Sequence, residues 1–100
     1  MARQGRVYTQ QQMMDALQRA YPEQHIQKAS DFSERYKDST GIWMSAEDGT
    51  EDRKGNQIFD YYDDSNSRTF GVINHLNAYV ERHGWYFEWY DAGTMMLWEI

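Results

Sequence analysis

Trp85-Tyr86-Phe87-Glu88-Trp89-Tyr90-Asp91-Ala92-Gly93-Thr94-Met95-Met96-Leu97-Trp98-Glu99-Ile100 decides the fold class. Two runs rich in aromatic and other β-favouring residues flank Asp91-Ala92-Gly93. A three-residue hairpin loop needs a left-handed third position, and Gly93 supplies it. The expected pairs are Tyr90 with Thr94, Trp89 with Met95, Phe87 with Leu97 and Tyr86 with Trp98. Side chains alternate along a strand. One face then carries Trp85, Phe87, Trp89, Met95 and Leu97. The other carries Tyr86, Glu88, Tyr90, Thr94, Met96, Trp98 and Ile100. Neither face is polar, so either helices sandwich the hairpin or its second face meets a partner.

Upstream, Thr69 to His83 reads as a helix. Phe70, Ile73, Leu76 and Val80 share its apolar face, and Gly84 fits the left-handed residue after a helix end. Gly41 to Asp64 reads as a long-looped hairpin, with Ile42–Ser45 pairing Gln57–Tyr62. Residues 47–56, with Gly49, Gly55 and most of the local charge, form its solvent-exposed loop. Thr9 and Gln12 make a capping box for a helix that Pro22 ends, with Tyr8 and Met13 as a hydrophobic staple. Between these elements, His25–Lys28 suits a short strand and Asp31–Tyr36 a short helix capped by Asp31. With residues 23–40 left unassigned, the order α, then β, β, α, β, β predicts an α+β fold. Its sheet is mostly antiparallel, of four to five strands in two hairpins, with two main helices.

One hundred residues suit a single domain spanning 1–100. Four Trp, eight Tyr and four Phe can supply much of one core, and a single proline argues against disorder. With no cysteine there are no disulfides, thiolate metal sites or cysteine nucleophiles. Met1 to Tyr8 lack the apolar run of a signal peptide, and no stretch approaches a membrane span. The expectation is a cytoplasmic protein without a membrane partner.

The net charge of −6 disfavours nucleic-acid phosphates as partners. Much of it lies in one segment, where Glu47, Asp48, Glu51, Asp52, Asp60, Asp63 and Asp64 face only Arg53 and Lys54. Glu47, Asp48, Glu51, Asp52, Asp63 and Asp64 are candidates for an acidic docking surface. Solvation of a loop explains the same charge. Calcium-loop registers starting at Asp48 or Asp60 lack the required glycine and glutamate. His25, His75 and His83 do not have metal-pair spacing. No nucleophile elbow, phosphate loop or dinucleotide fingerprint occurs. No catalytic residue, metal or cofactor is therefore expected.

Three fragments carry a resemblance. They are Gly41–Ser45 with Glu47-Asp48-Gly49, then Phe59-Asp60-Tyr61-Tyr62, then His83 to Thr94. Over residues 41–94 the chain resembles short accessory proteins of tailed phages and prophages. That resemblance implies a setting in the host cytoplasm and a role as a binder that inhibits a host enzyme or defence complex. The expected function is a non-enzymatic acidic protein-binding module. Its candidate interface is Tyr86, Glu88, Tyr90, Met96 and Trp98, facing a protein with a basic surface. Self-association through the same hairpin as a structural or assembly protein is the first alternative. A small hydrolase with a carboxylate-held Mg²⁺ is the second.

Overall fold

A computed structural model describes residues 6–63 and 65–100. Val7 and Tyr8 lead into α1 (Gln10–Ala20). Thr9 accepts from the Gln12 amide, and the Gln12 side chain accepts from the Thr9 amide, completing the capping box. β1 (Ile26–Lys28) leads directly into α2 (Ala29–Phe32) and a 3₁₀ turn at Glu34–Tyr36. This segment departs from the expected Asp31-capped helix. Helix starts at Ala29, and Ser33 rather than Asp31 caps the 3₁₀ turn by accepting from the Arg35 amide.

β2 (Ile42–Ser45) does not pair with residues 57–62. It lies between β1 and β6, antiparallel to both, so each of its edges is already taken. Residues 57–60 leave the main sheet. Glu51 bridges Gln57 to close a small loop, and Phe59 bridges Val72. The loop that includes residues 47–56 therefore does not join paired strands of the main sheet.

The second helix also starts later than its periodicity predicts. β3 (Arg68–Thr69) and β4 (Val72–Ile73) form a tight hairpin, and α3 runs only from Asn74 to Arg82. Its two turn residues are both left-handed, Phe70 at φ 50° and Gly71 at φ 81°. Two positive values are what a primed hairpin turn requires, and glycine meets them freely. Phe70 is therefore lifted off the apolar face of the helix. Gly84 is left-handed after α3, as expected.

β5 (Trp85–Asp91) and β6 (Thr94–Glu99) complete the four-stranded antiparallel sheet in the order β1-β2-β6-β5. Trp89 pairs with Met95, Phe87 with Leu97 and Tyr86 with Trp98, as the alternation predicts. The turn differs. Asp91, not Tyr90, faces Thr94, and the extra residue is absorbed as an irregularity between Trp89 and Asp91. Gly93 is not left-handed; a Cβ there would sit 2.9 Å from the end of the exposed Glu47 side chain, which can swing aside, so neither backbone conformation nor space demands glycine at this position.

The main core lies on the first face of the sheet. Met13 and Leu17 of α1, Leu76 and Val80 of α3, and Ile58 and Phe59 pack with Ile42, Met44, Trp85, Met95 and Leu97. α1 thus covers the first face. The second face receives a thinner cover from α2 and the 3₁₀ turn: Phe32 meets Trp43 and Tyr90, and Tyr36 meets Trp98.

Candidate interaction surface

The five hairpin residues expected at an interface do not form one open surface. Met96 is buried at 1 % exposure. Trp98 is half-buried beside Tyr36, and its indole N–H donates to the Glu88 carboxylate at 2.9 Å. Tyr86 and Tyr90 keep 39 % and 48 % exposure. The second face is therefore partly covered, with two tyrosines left at its margin. The covering residues are aromatic, Phe32 and Tyr36, but they lie on a short irregular segment whose packing face could not be read from periodicity.

Many acidic side chains are engaged locally. Asp48 accepts from the His25 amide. Asp52 Oδ1 accepts from the amides of Lys54 and Asn56, and its Oδ2 lies 3.1 Å from His75 Nε2. Asp60 accepts from the Tyr62 amide, and Asp63 from Ser65 and the Arg68 guanidinium. Short polar side chains stabilise turns in this way. Bonds from the Asn56 amide, His75 and the Lys54 amide hold the Asp52 carboxyl down at about 2, against a smaller opposing effect of burial. Bonds from Ser65 and Arg68 lower Asp63 similarly, to about 2. Glu47 and Glu51 remain exposed, while Asp64 lies outside the described residues.

A different aromatic set gathers near β5. Phe70 is 89 % exposed and Tyr62 is 83 % exposed. Tyr61 stands edge-on to both Tyr62 and Trp89. The Trp89 indole N–H donates to the Phe70 carbonyl and so anchors the turn to the strand. A pocket of about 220 Å³ lies beside this turn, lined in part by Phe70, Val72, Glu81, Tyr86, Phe87 and Trp89. The helical reading of Thr69–His83 placed Phe70 in the core. The available contrary signal was the Phe70-Gly71 pair, a potential turn that breaks the helical pattern.

Two shallower depressions flank the junction of α1 and α3. One, near the loop over residues 51–56, contains Tyr21, Asp52 and His75. The other runs between Ala16 and Ala20 of α1 and Ala78 of α3, with Arg19 and Arg82 at its margin. Burial raises the Tyr21 hydroxyl, and Asp52 adds to that shift. Burial and the bond to Tyr8 push Tyr79 up to about 12. Among the described residues no group of three or more His, Asp or Glu side chains could hold a metal ion. Nor is any helix among them long and apolar enough to cross a membrane. In comparisons with known proteins, no family model, curated protein or solved structure matches this chain.

Proposed function

We propose that this chain is a non-enzymatic protein-binding module whose contact surface is the aromatic rim beside β5. Phe70, Tyr61, Tyr62 and Tyr86 are its exposed parts. The observation that carries this reading is Phe70, a phenyl ring 89 % exposed on a backbone held at φ 50°. A bulky residue in that conformation costs on the order of 1–3 kcal/mol, and its ring gains little from burial in return. Strain retained at an exposed aromatic supports a role in contact, since aromatic anchors dominate many interfaces. The net charge of −6 supports a partner with a basic surface, because complementary charge speeds encounter. The resemblance over residues 41–94 supports the narrower form of the proposal: a phage-encoded inhibitor acting on a host enzyme or defence complex in the host cytoplasm.

The test compares affinity capture by the wild type with capture by a Phe70→Asn, Tyr62→Ser double variant that still melts cooperatively and no lower than the wild type. The expected result is a partner held by the wild type and lost by the variant. Equal capture by both proteins would remove the aromatic rim from the contact.

A further inference from the structure

Hydrogen bonds at the ends of the sheet fix which backbone groups of β5 face outward. The Ile100 amide donates to the Gly84 carbonyl at 2.9 Å. That pair is in register with Tyr86–Trp98 and Glu88–Met96. Antiparallel ladders alternate bonded and non-bonded pairs, so these two pairs exchange the β5–β6 bonds. On the other side of β6, the Ala46 amide donates to the Gly93 carbonyl, in register with Met44–Met95 and Ile42–Leu97. Both observations give the same phase. Phe87 and Trp89 therefore turn their N–H and C=O groups away from β6, toward the open edge. Among the described residues, these groups have no hydrogen-bond partner.

The two edges of the sheet differ. β1 has three residues, exposes Gln27 and Lys28, and passes directly into a helix. Short, charged edges resist added strands. β5 has seven residues, and its outward-facing groups lie beside the Phe70 pocket. The site has defined ends. At one, the Tyr8 amide donates to the His83 carbonyl; at the other, the Trp89 indole bonds Phe70. The accessible apolar wall of the pocket comes from Phe70, Phe87 and Trp89, with Val72 and Met95 buried behind it, while Glu81 contributes an exposed carboxylate.

We propose that the edge of β5 at Phe87 and Trp89 receives a short extended segment of a partner protein as an added strand. This inference rests on the protein-binding reading and specifies how that surface is used. The segment places an apolar side chain in the pocket and a Lys or Arg two positions away, on the same side of the strand, near Glu81. Main-chain bonds supply affinity, while the pocket and carboxylate select the sequence.

The test uses a seven-residue probe, Thr-Lys-Thr-Val-Thr-Lys-Thr, titrated into the full chain and followed by NMR at each backbone amide. Saturable shifts and slowed exchange at Phe87 and Trp89 are expected. N-methylation of the probe amides that face the edge should weaken binding about tenfold through loss of two hydrogen bonds. Glu81→Gln should weaken it a few-fold, and Glu51→Gln should leave it unchanged. Equal binding of the methylated probe would overturn strand addition while leaving side-chain contact with the aromatic rim intact. No saturable binding of either probe would overturn the proposed segment chemistry, while the capture experiment independently tests the broader protein-binding reading. Protection of Phe87 and Trp89 that grows with protein concentration without probe would assign the edge to a second copy and overturn the proposed occupant.

Discussion

Asp52 Oδ2 lies 3.1 Å from His75 Nε2 and joins the loop after β2 to the first turn of α3. The Asp52 side chain is largely buried, whereas His75 projects into solvent. The same carboxylate accepts the Lys54 and Asn56 amides. One charged group thus closes the loop and docks it.

Asp52→Asn is expected to lower the melting temperature at neutral pH. The Asp52 carboxyl is held at about 2 rather than its ordinary 3.8. A depressed carboxyl contributes stability above its unfolded value and loses it as pH falls through the folded value. The difference between wild type and variant should therefore shrink from about pH 3.8 downward and be lost as pH falls through about 2. Thermal melts across that range check this, and a constant difference would contradict it.

Leu76→Ala should cost about 2–5 kcal/mol in chemical denaturation. Leu76 packs with the core on the sheet's first face and is almost fully buried. A loss below about 1 kcal/mol would mean that α3 does not seat this side chain in the core.

Trp98 and Tyr86 are cross-strand partners but should respond differently. Trp98→Ser removes an indole held by Tyr36 and Glu88, with Gly41 close against its ring. A loss of about 2–4 kcal/mol is expected, below or within the range for a fully buried tryptophan. Tyr86→Ser should change stability by less than about 1 kcal/mol, as a partly exposed site does. Equal losses would show that the second-face cover extends over both residues.

Phe70→Asn should raise stability by up to about 1 kcal/mol, because asparagine tolerates the left-handed conformation better. Binding through the proposed rim should fall in the same variant. A marked loss of stability would instead show that the phenyl ring carries packing energy.

The sequence alone determined the features governed by near neighbours. Thr9 and Gln12 lie three residues apart, so their capping box is a local event. Alternation likewise assigns Trp85, Met95 and Leu97 to the core face, whereas the Tyr86–Trp98 register read from the turn is kept because the irregularity between Trp89 and Asp91 offsets the altered turn. The tertiary structure decided which distant edges met. Residues 57–62 contain β-favouring side chains, but β1 and β6 occupy both edges of β2, and strand propensity does not specify a partner. Helical periodicity in 69–83 lost its first turn to the Phe70-Gly71 hairpin, where main-chain bonding outweighed burial of Phe70. The exposed rim was hidden for the same reason. Exposure depends on what lies opposite a side chain, and for Phe70, Met96 and Trp98 that is set by segments brought together only on folding.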